Sequence, residues 1–271
     1  MIRKILGRLA AVRPLAFAFF ALASFASLAT DYIDAAGNPA SATCTSITSS
    51  TTTLETGWYV VEGPVSISST VTVNGDVNLI LADGAKLTVT GSFGCAGICV
   101  VDDGTTVNSL TIYCQSGGTG ELSTTGGSGG AGIGGNDKTG STQLGDCGAV
   151  TIYGGVINAT GGSYGAGIGG GDNHGNGGIV AIYGGTVTAK AVSSSTAGIG
   201  KGWGSYAVNG TLTVGSGRSV MAGESEATAT VLTPDSSGTV TLSGQKWFSV
   251  MAPFIKQQTW SFLRDIILVC R

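Results

Sequence analysis

Charge is scarce in this chain. Lys, Arg, Asp and Glu make up 11% of its 271 residues, while the hydrophobic share is 42%. That combination excludes intrinsic disorder, which requires low hydrophobicity and high charge. Histidine occurs once, at His174, inside the glycine-rich stretch 169–175. With no serine or cysteine nucleophile motif to serve, it reads as an exposed loop residue. No Gly-Lys-Ser/Thr follows any glycine run, so a phosphate-binding P-loop is excluded. The absence of a Cys-x-x-Cys spacing argues against a structural zinc site. Lys138, Lys190 and Lys201 are the only basic side chains between positions 87 and 217, a thin supply for catalysis by a basic group. Glycine, by contrast, occurs 47 times. It lacks the every-third-residue period of collagen, and together with abundant Thr, Ser, Val and Ile it points to β-structure with many tight turns.

The first 29 residues read as a secretory signal. Arg3, Lys4, Arg8 and Arg13 form a basic start, an apolar run extends from Leu15 to Leu28, and Ser27 and Ala29 give a small-x-small cleavage pattern. A membrane anchor is the competing reading, but the run falls short of the roughly 20 apolar residues a span requires. Cleavage would remove four of the 13 basic residues and none of the 16 acidic ones, taking the formal net charge from −3 to −7. An acidic surface argues against nucleic acid or anionic membrane as a partner. Export would place Cys44, Cys95, Cys99, Cys114, Cys147 and Cys270 where disulfides can form. Spacing cannot choose among the possible pairings, and free buried thiols remain an open alternative.

Internal repetition is the dominant signal. Leu110-Thr111-Ile112-Tyr113, Val150-Thr151-Ile152-Tyr153 and Val180-Ala181-Ile182-Tyr183 begin three copies. Each continues through a second strand-like piece, around Leu122, Ile157 and Val187, to an Ala-Gly-Ile-Gly segment at 131–134, 166–169 and 197–200. Partial copies lie at Ala96-Gly97-Ile98 and Leu212-Thr213-Val214, and the period is 30 to 40 residues. Alternation within each piece points Leu110, Val150 and Val180 inward, with Ile112, Ile152 and Ile182; then Leu122, Ile157 and Val187; then Ile133, Ile168 and Ile199. One copy is too small to bury its own apolar face, so copies must share a core. Glycine-rich low complexity without order is disfavoured, because it has no reason to keep these columns in phase.

The predicted fold is therefore all-β: a right-handed parallel β-helix, a solenoid with about one coil per repeat. The chain divides into a signal peptide at 1–29, a loose Ser/Thr-rich N-terminal lead at 30–56, the β-helix domain at 57–244 and an atypical aromatic-rich tail at 245–271. Trp58–Val61, Val71–Val73, Val77–Leu81 and Lys86–Thr90 read as its first strands, separated by turns such as Asn74-Gly75-Asp76 and Asp83-Gly84. The tail contains no glycine, and Trp260, Leu263 and Ile267 sit at helical spacing. It reads either as a capping helix or as a truncated or frame-shifted end.

Three stretches carry a resemblance: Gly57-Trp58-Tyr59-Val60-Val61-Glu62-Gly63, the block from Gly75 to Gly84, and Gly-Ala-Gly-Ile-Gly-Gly-Gly at 165–171. They resemble glycine-rich β-helical repeat proteins, carbohydrate-binding or adhesin-like, secreted by gut and oral anaerobic bacteria. The likeness covers roughly residues 50 to 215. It implies the β-helix and a glycan-binding role, without pointing to any activity. Cys95, Cys99 and Cys114 depart from the pattern, standing where glycine or small residues are expected. The wall-anchor motif of many relatives is not seen either, which leaves surface retention open.

Candidate site residues follow from the repeat. Tyr113, Tyr153 and Tyr183 share one outward position and would stack into an aromatic ladder, as a sugar-binding surface or as packing between coils. Trp203 and Tyr206 would extend that surface. Asp137 and Asp172 each lie four residues after a repeat isoleucine. They are the weak candidates for catalysis, as an acid–base pair on a glycosidic bond, and for a metal site, as calcium ligands; solvated turn residues are the plainer reading. No cofactor is expected, with calcium the one ion considered. The sequence thus predicts a secreted or cell-surface, non-catalytic binding or adhesion module for an extracellular polysaccharide or host glycan, with no membrane span after signal cleavage. A polysaccharide lyase or glycoside hydrolase is the alternative. An ice-binding or purely structural solenoid is a third, disfavoured because the threonines are too irregular for a flat array.

Overall fold

The computed structural model describes residues 28–138 and 145–251. Over this range the chain is all-β, with curled, largely parallel sheets. Its only helical element is a single 3₁₀ turn, Glu226–Thr228. Among the described residues no helix is long and apolar enough to cross a membrane.

Three columns of strands make up most of the parallel part. A long column runs Val71–Leu81, Ser109–Cys114, Ala149–Ile152, Ile179–Ile182, Thr211–Val214. A middle column runs Pro64–Ile67, Lys86–Thr90, Glu121–Thr125, Val156–Thr160, Thr186–Lys190. A short column is built from the two-residue strands Ile98–Cys99, Ile133–Gly134, Ile168–Gly169 and Ile199–Gly200. The chain visits long, middle and short columns in rotation. Val71–Leu81 also pairs with Ile98–Cys99 through Val71 and Thr72, so the long and short columns belong to one sheet. The turn expected at Asn74-Gly75-Asp76 is a bend inside this continuous strand, at Gly75 with φ 93°.

The register is the one the repeat requires. Val150 pairs with Leu110 and Val180, Ile152 with Ile112 and Ile182, Ile157 with Leu122 and Val187, and Ile168 with Ile133 and Ile199. All twelve side chains are at most 1% exposed, and those of all three columns belong to one continuous buried cluster. Branched aliphatic side chains suit such positions because they pack on a pleated surface with little rotamer loss. The corners bring successive backbones into direct contact. A Cβ on Gly165 would overlap the carbonyl oxygen of Gly130, and one on Gly130 would overlap that of Cys95. Glycine at these corners is thus a steric requirement of stacking.

Both ends differ from the sequence-based expectation. The Ser/Thr-rich segment 30–56, expected as a loose lead, is paired. Leu28–Ile33 and Pro39–Ser46 form an antiparallel pair, Thr45 and Ser46 add in parallel to Thr53–Val61, and that strand pairs along Val71–Leu81. Alternation such as Ala42-Thr43-Cys44 suits a strand with one covered face, and Cys44 is buried. At the other end, the first described part of the tail, expected as a capping helix or a truncated end, contains a strand, Trp247–Met251. It lies antiparallel between Thr186–Lys190 and Ser219–Gly223, placing Val250 beside Val187 and Val220, and Phe248 beside Ala189 and Ala222. Phe248 is fully buried. A five-residue segment, apolar but for Ser249, is too short to show a helical period, so a strand with two neighbours is the better use of it. Trp260, Leu263 and Ile267 lie outside the described residues, as do residues 1–27 of the expected signal.

Ile152→Ala should cost about 2–5 kcal/mol and Phe248→Ala about 3–5 kcal/mol of unfolding free energy. Val192→Ala, at a 66% exposed position, should stay within about 0.5 kcal/mol. Chemical denaturation followed by circular dichroism measures all three; a Phe248→Ala variant as stable as the native chain would show that the inserted strand does not seal the core.

Candidate functional site

The tyrosine column forms as the repeat requires. Tyr113 is the penultimate residue of its long-column strand, Tyr153 and Tyr183 directly follow theirs, and their rings stack at centroid separations of 5.3 and 5.4 Å with interplanar angles of 16° and 20°. Two further rings, missed from the sequence, extend the stack. Trp58 lies 5.3 Å from Tyr113, and Tyr32 lies 4.8 Å from Trp58 and 5.0 Å from Tyr113. Beneath them Cys44, Val60 and Ile80 form a small buried cluster. The stack occupies the faces a sugar would need: Tyr153 lies between Tyr113 and Tyr183, and Tyr113 between Trp58 and Tyr153. Burial raises the Tyr113 phenol above its ordinary range. The inner rings therefore act as packing between repeats, worth about 0.5–1.5 kcal/mol per pair beyond area burial. Of the three repeat tyrosines, Tyr183, at the end of the row and 42% exposed, has a ring stacked on one side only.

Trp203 does not extend the ladder. It sits in the corner leading into the long column, whereas the tyrosines sit where the chain leaves it. Its structural equivalents are the two aspartates. The backbone N–H groups of Asp137, Asp172 and Trp203 donate to the carbonyls of Gly94, Gly129 and Tyr164, at 2.8, 2.7 and 2.9 Å. Along this column the facing pair changes from Gly94–Asp137 to Gly129–Asp172 to Tyr164–Trp203. The last pair is aromatic, edge to face at 5.9 Å, and both rings are more than two-fifths exposed. Aligning the second copy with its predecessors by this corner would have identified Tyr164 as the equivalent of Gly94 and Gly129.

A hollow of about 530 Å³ opens beside Trp203, with His174, Ser194, Ser195, Lys201 and Ser205 among its walls. Tyr206, 84% exposed, packs on His174 at 5.2 Å. Asn173 and His174 are the only non-glycine residues with positive φ among the described residues, at 56° and 72°. Two consecutive left-handed residues are an unfavourable local conformation, and such conformations concentrate at ligand sites. Surrounding bonds hold them. The His174 N–H donates to the Trp203 carbonyl at 2.8 Å, and the Asn173 side-chain amide donates to Asp137 Oδ1 at 2.6 Å. One corner therefore combines exposed aromatic faces, hydroxyls, a cation and a fixed backbone.

Asp137 and Asp172 occupy adjacent repeats, and Asn173 links them, since its backbone N–H donates to Asp172 Oδ1 at 2.6 Å. Asp172 is raised above the usual carboxylate range, chiefly by burial, with the Asp137 charge adding to the rise and His174 opposing it. No group of three or more His, Cys, Asp or Glu side chains able to hold a metal exists among the described residues. Lys138, the nearest base in sequence, is paired to Asp146 at 2.7 Å, and Asp146 also accepts the Asn176 N–H at 2.7 Å. Cys44, Cys95, Cys99, Cys114 and Cys147 are free thiols, and Cys270 lies outside the described residues. Burial pushes Cys99 and Cys147 up to about 12, which keeps them protonated and unreactive. Cys99 pairs in register with Gly134, the small-residue position from which the sequence departs.

No protein-family model, no curated protein and no solved structure matches this chain.

The raised Asp172 carboxyl has a definite sign for stability. A group whose folded pKa lies above its unfolded value favours the folded state in its protonated form, so its contribution is complete at low pH and is lost as pH rises through the folded pKa. Asp172→Asn keeps the acceptor for Asn173 and removes the charge. It should melt higher than the native chain near neutral pH, and the difference should vanish by about pH 3. A pH-independent difference between the two melting curves would contradict the assignment.

Proposed function

We propose that this chain is a secreted or cell-surface, non-catalytic carbohydrate-binding or adhesion module built on a right-handed parallel β-helix. The rotation through three parallel columns supports the β-helix, since parallel strand–crossover–strand connections are almost always right-handed. The observation that carries the binding role is the exposed Tyr164–Trp203 pair beside the hydroxyl-lined hollow. A sugar ring has an apolar C–H face and a rim of hydroxyls, and it needs an aromatic platform with polar groups around it. That corner offers both. The ligand is an extracellular polysaccharide or host glycan. The basic n-region, apolar run and small-x-small pattern of residues 1–29 support export.

Trp203→Ala should weaken retention in affinity electrophoresis through polysaccharide gels by about 2 kcal/mol, roughly thirtyfold, with Tyr164→Ala acting in the same direction. Unchanged retention of both variants on every polysaccharide that slows the native chain would overturn the reading.

One observation favours a second reading, a polysaccharide lyase or glycoside hydrolase. The raised Asp172 carboxyl beside Asp137 is the kind of pair whose pKa values separate for acid and base roles. On that reading the native chain releases oligosaccharides from a polysaccharide it binds, and the Asp137→Ala, Asp172→Ala double variant releases none. The pairing of Lys138 with Asp146 weighs against a lyase, whose base would have to come from this thin set of cations.

A further inference from the structure

The aromatic ladder stops one repeat before the repeats do. Val214 pairs with Ile182, so the position in register with Tyr183 is Gly215, whose N–H donates to the Ile182 carbonyl at 2.9 Å. Every rung from Tyr113 to Tyr183 places a ring against the next; at Gly215 there is no side chain to do so. In its place a hollow of about 490 Å³ opens over Tyr183, walled by Gly215, Arg218, Asp235, Ser236 and Ser237. One face of Tyr183 is against Tyr153, and the ring is 42% exposed.

The rim of this hollow is polar and incompletely used. Arg218 donates one N–H to the Gly185 carbonyl at 3.1 Å, which anchors the guanidinium and leaves further donors in its planar fork. Asp235 accepts through Oδ1 from the Ser237 N–H and hydroxyl and from the Thr239 N–H, at 2.8, 2.6 and 3.0 Å. Those bonds fix the carboxylate and hold it ionised, below its ordinary range, while its Oδ2 makes no hydrogen bond among the described residues.

We propose that the vacated rung is a subsite for a single neutral hexopyranose, which stacks its C–H face on the open face of Tyr183 while Arg218 and the Asp235 carboxylate bind its hydroxyls. Opposite charges on the rim suit a neutral ring with both donor and acceptor hydroxyls. This subsite rests on the carbohydrate-binding reading above but is separate from the Trp203 corner, so the two can fail independently.

The test adds the missing rung. Gly215 is not in the left-handed region, and a Cβ there would lie 3.1 Å from Tyr183 Cα and 3.2 Å from its carbonyl oxygen, a contact that a shift of a few tenths of an ångström relieves. Gly215→Tyr should therefore fold and fill the hollow. Saturation-transfer NMR on the full chain, with methyl gluco-, galacto- and mannopyranosides as probes, should show transfer to the ring protons of one face of at least one sugar. Gly215→Tyr and Tyr183→Ala should each weaken that sugar by about tenfold or more, while Tyr183→Phe and Trp203→Ala change it by less than about twofold. Undiminished transfer in a folded Gly215→Tyr variant overturns the subsite. So does transfer abolished by Trp203→Ala alone, or its absence from all three sugars; in either case Trp203-dependent polysaccharide retention would leave the broader binding reading standing.

Discussion

Backbone hydrogen bonding between equivalent residues of successive repeats is the constraint on which the rest of this structure depends. Parallel pairing in register puts like beside like at about 4.8 Å, so whatever occupies one repeat position becomes a continuous row. Aliphatic residues become a core filled by Ile112, Ile152 and Ile182 and their counterparts, glycines become corners where backbones touch, and tyrosines become a stack. A break in a row is equally visible: Gly215 ends the tyrosines, and Tyr164 with Trp203 ends the Gly–Asp pairs.

The same constraint explains what could be read from the sequence. A row needs only periodicity, and the columns keep their register although more residues separate Ile133 from Ala149 than Ile168 from Ile179. The all-β class and the facing of the twelve core side chains were legible for that reason. The two ends were not. Where the repeat is absent, a segment such as Trp247–Met251 is only a short apolar run, and the alternation of residues 39–46 is masked by serines and threonines that suit a strand and a loop alike.

The candidate sites divide in the same way. The stacking of Tyr113, Tyr153 and Tyr183 followed from their shared repeat position. That their faces would be consumed by one another follows from the ring separations, and Trp58 and Tyr32 reach the stack because the N-terminal strands pair onward from the first strand of the long column. Trp203 was singled out as a companion of the tyrosines, yet it is the equivalent of Asp137 and Asp172. Sequence reasoning singled out this aromatic residue and this acidic pair without recognising that they occupy one row.

The strand Trp247–Met251 sits between two segments that precede it in the chain by about 25 and 60 residues. Thr186–Lys190 and Ser219–Gly223 have no hydrogen bonds to one another except through it. A nascent chain emerging from a ribosome can therefore stack its earlier repeats as they appear, but the strand that joins these two segments is complete only once residue 251 has emerged. Closure is timed by synthesis, and a cut between Gly223 and Trp247 would leave the closing strand held by hydrogen bonds and packing alone.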